Sequence, residues 1–291
     1  RDHTERATLM DRYVVIGNPV AHSQSPFIHA AFAQQTGQAL EYGRLACAPD
    51  AFEPALREFA AGGGRGCNVT VPFKFEAFRL AHEHTERGAI AGACNALRLD
   101  GARWLGDNTD GAGLLRDIER NAGVALEGRR ILIVGAGGAA AGVLGPLLAA
   151  RPAQLVVANR TPQRAVDLLR THRAAVAASQ AARTELRAAA LADCGTGFDV
   201  VIHATSSSML GTEVPISERV LAPGALAIDL MYGAAARAFL AWAEARGATA
   251  RDGLGMLVEQ AAVAFELFRG VAPDTAPVHA ALRRRIAEAG A

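Results

Sequence analysis

Of the thirty lysine and arginine residues in this 291-residue chain, one is a lysine, Lys74. An arginine keeps its proton in a protein, whereas a lysine ammonium is compact and shifts its pKa readily when desolvated. Proton transfer is therefore a task that only the lysine can perform. Lys74 closes Asn68-Val-Thr-Val-Pro-Phe-Lys74, where an apolar strand pattern breaks at a proline. Two readings stand at this point, a proton-transfer group and a surface lysine that survived a drift to arginine. The rest of the chain has to separate them.

A second stretch carries cofactor chemistry. In Arg130-Ile-Leu-Ile-Val-Gly-Ala-Gly-Gly-Ala-Ala140 an apolar strand runs into Gly135, Gly137 and Ala140 in the GxGxxA arrangement, and an alanine-rich helix follows. Such glycines permit a tight turn and close backbone approach to a pyrophosphate, which the helix N-terminus then stabilises. Gly135, Ala136, Gly137, Gly138 and Ala139 are thus candidate dinucleotide contacts. The next strand, Leu155 to Ala158, leads into Asn159-Arg-Thr-Pro-Gln-Arg164, where an NAD site would carry an acid for the adenine ribose. Arg160 and Arg164 with no carboxylate favour a 2′-phosphate, hence NADP, over the alternative of a solvated helix start.

Polar residues at other predicted element ends complete the candidates. Ser23 and Ser25 precede a helix expected to run from Pro26 to about Gln35, with Ser25 as its N-cap. Such an end suits a carboxylate or phosphate. Gly92-Ala-Cys-Asn95 and Asp107-Asn-Thr-Asp-Gly111 flank a predicted hairpin turned at Asp100-Gly101, so Asn95 and Asp110 can face one cleft. Asp110 also suits the N-cap of a helix from Gly113 to Arg120. Gln260, in an otherwise apolar segment, either contacts a ligand or is partly exposed. His82 and His84 point to different faces of a helix expected from Phe75 to His84, which argues against metal.

The elements that must position these residues alternate strand and helix, which predicts parallel α/β units with ligands beyond the strand ends. Strands are expected near 13–17, 42–47, 67–71, 155–158, 198–203 and 225–229. Helices are expected near 51–60 and 234–246 and, as a closing pair, beyond Gly255. Residues 174–192 are alanine-rich and read as helix. Length suits two domains, a substrate domain of residues 1–110 with 247–291 and a Rossmann-type NADP domain of 111–246 with a cleft between them. A net charge of +1 leaves no electrostatic footprint for nucleic acid or an acidic membrane surface. No apolar run approaches the roughly 20 residues of a membrane span. Four scattered cysteines and a polar start without a secretory pattern lead to the expectation of a cytoplasmic protein with no metal. Residues 1–9 are expected to be an extension outside the fold.

Seven stretches, namely Ile16 to Pro26, Asn68 to Lys74, Gly92 to Asn95, Asn108 to Gly111, Gly135 to Ala140, Asn159 to Thr161 and Asp252 to Gln260, together resemble the shikimate dehydrogenase family from Tyr13 onward. The resemblance implies reversible, NADPH-dependent reduction of 3-dehydroshikimate to shikimate, a step of aromatic amino-acid synthesis, by a monomer or homodimer. It implies that Lys74 and Asp110 act as a pair at the reacting oxygen and that Ser23 and Ser25 hold the substrate carboxylate. Thr70, Asn95, Tyr232 and Gln260 match further substrate contacts. Asn159, Arg160, Thr161, Arg164, Thr205, Leu230 and Gly253 match the cofactor side beside the glycine turn, with Glu86 a weaker match. The last helices are implied to fold back onto the first domain. A quinate-active or NAD-using relative and a non-catalytic NADP-binding sensor are the alternatives. Two departures stand out: His203 replaces the usual asparagine before Ala-Thr-Ser206, and Ala96 replaces a threonine after Asn95. His203 either adjusts the nicotinamide environment or is a hydrogen-bonded strand-end histidine without a chemical role.

Overall fold

The computed structural model describes residues 10–181, 183–205 and 216–289; the extension expected at 1–9 and Ser206 lie outside these described residues. The chain forms two six-stranded sheets. The first half runs β1 (Asp11–Gly17), α1 (Ser25–Thr36), β2 (Leu40–Ala46), α2 (Phe52–Ala61), β3 (Gly64–Val69), α3 (Lys74–Leu80), β4 (Glu83–His84), α4 (Glu86–Ala91), β5 (Ala96–Asp100) and β6 (Arg103–Asp107). The sheet order is β2-β1-β3-β5-β6-β4, parallel at β1 and antiparallel around the β5–β6 hairpin.

Helix α5 (Asp110–Arg116) and a π-helical turn, Asp117–Asn121, lead to β7 (Arg130–Val134), α6 (Gly138–Ala149), β8 (Gln154–Asn159), α7 (Pro162–Thr171), α8 (Arg173–Ala181), β9 (Glu185–Ala190) and β10 (Phe198–His203). There follow β11 (Leu221–Asp229), α9 (Arg237–Glu244), β12 (Thr249–Arg251), α10 (Leu254–Arg269) and α11 (Ala276–Ala289). The second sheet, β12-β11-β10-β7-β8-β9, is wholly parallel. Its central strand explains why: Ile131, Leu132, Ile133 and Val134 are completely buried, as an apolar run must be when helices cover both faces. Helices α1, α10 and α11 share a core through Ile28, Phe32, Val258, Phe265 and Leu282, so the last two helices pack on the first.

Several local expectations are corrected. The alanine-rich stretch is not all helix: Glu185–Ala190 pairs with β8 as an edge strand, because a ladder partner outweighs helix propensity. The helix after Lys74 stops at Leu80, and His84 lies in a two-residue strand beside β6. Strand β12 extends the second sheet beyond Gly247.

The two connections between the sheets meet at one buried carboxylate. Asp117 is fully buried and accepts hydrogen bonds from Arg251 Nη2 at 2.7 Å and Asn121 Nδ2 at 2.9 Å. Gly255 lies so close that a methyl group there would overlap this carboxylate. Gly255→Ala is therefore expected to lower stability by about 3 kcal/mol or more, since the pair must break or α10 must shift. A urea midpoint equal to that of the parent would contradict this.

Candidate active site

Lys74 is the first residue of α3, and Asp110 is the first residue of α5. Their side chains meet across the first sheet, with Lys74 Nζ donating to Asp110 Oδ2 at 2.6 Å and both groups largely buried. Asp110 was expected to cap a helix. It stands instead one residue inside, Thr109 being the N-cap, and its carboxylate is free of capping duty. The other oxygen, Oδ1, accepts from Asn95 Nδ2 at 2.9 Å. A carboxylate in the first turn of a helix also gains from the backbone dipole.

The hairpin fixes this arrangement. Asn95 directly precedes β5 and Asp110 follows β6, and strand pairing Ala96↔Asp107 brings the two flanks side by side. Asn95 also donates to Thr109 Oγ1 at 2.9 Å and Gln260 Oε1 at 3.1 Å, and its own Oδ1 accepts from the Thr109 backbone at 2.8 Å. Gln260 is thus a buried member of the network and not a partly exposed residue. With both sides of its amide committed, Asn95 holds Asp110 so that Oδ2 is left for Lys74.

Ser23 and Ser25 form a second polar group, Ser23 Oγ lying 3.2 Å from Ser25 Oγ. The capping expectation for Ser25 is reversed. Ser25 is the first helical residue, with Gln24 as N-cap, and the Ser25 backbone N–H donates to Ser23 Oγ at 3.3 Å. Tyr232 faces the same turn: burial pushes its phenol upward, while the Gln24 backbone and the Arg44 charge pull it back. Arg44, missed in the sequence because β2 offered no motif, clamps the Ser23 carbonyl through Nη2 at 2.7 Å and Nε at 3.2 Å. Thr70 sits at the end of β3 with its backbone N–H on Ile16. It makes no direct side-chain bond to Lys74 or Asp110 among the described residues.

Beneath the serine turn lies another group without a sequence signal. Tyr42 donates to Asn68 Oδ1 at 2.6 Å, and Asn68 Nδ2 donates to the Asn95 carbonyl at 3.2 Å. His29 stacks on Tyr42 with ring centroids 4.2 Å apart. Burial lowers the His29 pKa from 6.5 to about 3, a nearby Asn68 opposing this in part. A histidine kept neutral in the fold but protonated in the unfolded chain costs stability as pH falls from about 6.5 towards about 3. The slope is about 1.4 kcal/mol per pH unit for this group. His29→Phe, which keeps the ring stack, is expected to flatten the acid limb of the stability curve over that window. An unchanged acid limb would refute the assignment.

The glycine turn stands against the lysine. A methyl group on Gly138 would lie 3.6 Å from Lys74 Cβ and Cδ, so the start of α6 and the catalytic candidate border one space. Gly135 has φ +116°, and a methyl there would meet the Ala204 carbonyl at 2.8 Å, so only glycine serves. Gly137 is open on its side-chain face, and α6 has no side-chain cap among the described residues. An uncapped twelve-residue helix facing an open glycine fits a pyrophosphate.

At the end of β8, Asn159 Nδ2 donates to the Thr161 carbonyl at 3.0 Å, shaping the turn into α7. Arg160 and Arg164 are exposed and form no ion pair among the described residues. Thr205 adjoins Gly135, and Gly253 is pressed against the Leu230 carbonyl. Glu86 is exposed on α4 and is not drawn to the other candidates. Phe75, 43% exposed and adjacent to Gly138, adds an aromatic edge that sequence patterning did not single out. Among the described residues no cluster of His, Cys, Asp or Glu could hold a metal ion, and no helix is long and apolar enough to cross a membrane.

Three family models match the chain. Residues 15–97 match the shikimate dehydrogenase substrate binding domain, residues 117–230 the shikimate / quinate 5-dehydrogenase family and residues 253–283 the shikimate 5'-dehydrogenase C-terminal domain. A shikimate dehydrogenase (NADP(+)) of Methylibium petroleiphilum is 58% identical over 283 residues, 95% of each chain. The crystal structure of an Ael1 enzyme from Pseudomonas putida superposes with a TM-score of 0.82 at 44% identity, covering 94% of this chain and 98% of that one. A Thermus thermophilus shikimate 5-dehydrogenase in complex with NADP(H) and shikimate gives a TM-score of 0.79 at 29% identity over 94% and 99% of the two chains.

Proposed function

The chain belongs to the shikimate dehydrogenase family of NADP-dependent oxidoreductases of the shikimate pathway, and from that premise we propose that it interconverts 3-dehydroshikimate and shikimate with Lys74 and Asp110 as the proton-handling pair. The observation that carries this reading is the 2.6 Å contact between Lys74 and Asp110 at the edge of the glycine turn.

Bound NADP supplies the hydride acceptor for the carbon that loses its hydrogen. In the oxidising direction Lys74 acts as the free amine, takes the proton of the hydroxyl and becomes the ammonium; in the reverse direction the ammonium gives that proton to the ketone oxygen. Asp110, fixed by Asn95, orients the lysine nitrogen. We assign the substrate carboxylate to Ser23, Ser25 and Tyr232, the last placed by its neighbours at the same turn. Arg44 acts behind Ser23 by fixing its carbonyl. Asn95, Gln260 and Thr70 line the ring side of the substrate.

Gly135 to Ala139 would hold the cofactor, the start of α6 taking its pyrophosphate and Arg160 and Arg164 its 2′-phosphate. Asn159, Thr161, Thr205, Leu230 and Gly253 would border it. Glu86, exposed at the start of α4, is the weaker cofactor-side candidate. The division that follows is a substrate unit of residues 10–110 with the carboxyl-terminal helices and an NADP unit from 111. The return crossing moves from Gly247 to beyond Arg251, because β12 pairs with β11.

Initial rates with shikimate and quinate, each with NADP and NAD, test the reading. The highest kcat/KM is expected for shikimate with NADP. A preference for quinate or for NAD would replace the substrate or cofactor assignment.

A further inference from the structure

The serine turn assigned to the substrate carboxylate offers hydroxyls and no charge of its own. Ser23 and Ser25 are neutral, and burial lifts the Tyr232 phenol above its ordinary range, so it stays protonated. A carboxylate that leaves water for such a turn gives up hydration that hydroxyl donors replace only in part. A nearby cation then decides how strongly an anion is preferred over an uncharged group of the same shape.

Arg44 supplies that cation. It stands on β2, the edge strand of the first sheet, opposite Val15 of β1, the strand that leads into the turn. Its Nη2 donates to the Ser23 carbonyl at 2.7 Å and its Nε at 3.2 Å. The guanidinium is thus fastened to the residue whose hydroxyl lies 3.2 Å from Ser25 Oγ. Both bonds go to a neutral acceptor, and no carboxylate pairs with Arg44 among the described residues. The charge also reaches the third hydroxyl, since it draws the Tyr232 phenol down against the larger effect of burial. A second arginine, Arg285 of α11, meets the turn through Gln24 Oε1 at 3.2 Å and lies over the Phe27 ring at 5.1 Å.

We propose that Arg44 is a specificity-determining residue: it supplies the counter-charge that makes the serine turn select a carboxylate-bearing substrate over an uncharged one of the same shape. Its effect falls on binding and not on the hydride step, because the reacting oxygen belongs to Lys74 and Asp110. This inference rests on the assignment of the substrate carboxylate to Ser23, Ser25 and Tyr232.

Steady-state rates with shikimate and with its methyl ester, which has the same ring and no charge, test the inference. Arg44→Gln is expected to raise the KM for shikimate about five- to tenfold, the scale of one partly solvated charge pair, and to leave the KM for the ester little changed. The kcat with shikimate should stay near that of the parent. Because Arg44 is exposed, added salt should raise the KM of the parent for shikimate more than that of Arg44→Gln. Arg44→Lys keeps the cation and loses the two-point clamp on Ser23, so it is expected to retain most of the preference for the acid over the ester. Arg285→Gln should leave that preference near the parent's.

Equal rises in the KM of acid and ester in Arg44→Gln would make Arg44 a fastener of the turn and overturn the inference. A loss of preference in Arg44→Lys or in Arg285→Gln as large as in Arg44→Gln would overturn it too. A parent that oxidises shikimate yet takes the ester with the same KM would place the carboxylate elsewhere, removing the assignment of the serine turn together with the inference.

Discussion

Lys74→Arg is expected to lower kcat by about 10²-fold or more while leaving the KM values for shikimate and NADP near those of the parent, the scale set by losing a positioned general acid/base. The substitution keeps the cation and can still pair with Asp110, so a role confined to charge or packing would survive it. It removes the ability to release a proton at working pH. The site allows little rearrangement: Lys74 is largely buried, its stem lies against Gly138, and Asp110 is held from its other oxygen by Asn95. Asp110→Asn separates orientation from charge and should also depress kcat, because an amide cannot hold the ammonium as a carboxylate does. Retained turnover in Lys74→Arg would return the lone lysine to a compositional accident.

A second large effect is expected at the far end of the cofactor. Replacing both Arg160 and Arg164 by Gln should raise the KM for NADP by about 10- to 10²-fold, as befits charge-assisted bonds to a phosphate, and should change the weaker use of NAD much less. Both guanidinium groups are exposed and no carboxylate pairs with either among the described residues, so the substitutions strip no internal ion pair. That separation makes the comparison informative. An equal loss with both dinucleotides would mean that the arginines shape the turn after β8 and do not read the 2′-phosphate.

The parts legible in the sequence were those where a local pattern must serve one structural end. The apolar run into Gly135 specified a strand, a turn and a helix start together, and the Asp100-Gly101 turn specified a hairpin that brings Asn95 to Asp110. What escaped depends on partners distant in the chain. Glu185–Ala190 has helical composition and becomes a strand because β8 offers it a ladder. Arg44 belongs to the site only because β2 lies beside β1, which leads into the serine turn. The roles of Ser23 and Ser25 were reversed because capping was read from residue type, whereas the hydroxyl that meets the helix end comes from two residues earlier. His29 and Tyr42 carry no motif of their own, and only their stack and the Asn68 bond set them apart. The expectation of NADP rests on arginines where an acid is missing, and the expected substrate rests on the family resemblance and not on any single spacing.

The most direct test of the central claim is a single-turnover experiment in which the protein saturated with NADP is mixed with shikimate and dihydronicotinamide absorbance is followed. The expected result is NADPH formed in step with the amount of enzyme, and slowed by the Lys74→Arg substitution at matched saturation. Folded protein that binds both shikimate and NADP yet forms no NADPH would contradict the account and leave a binding protein in its place.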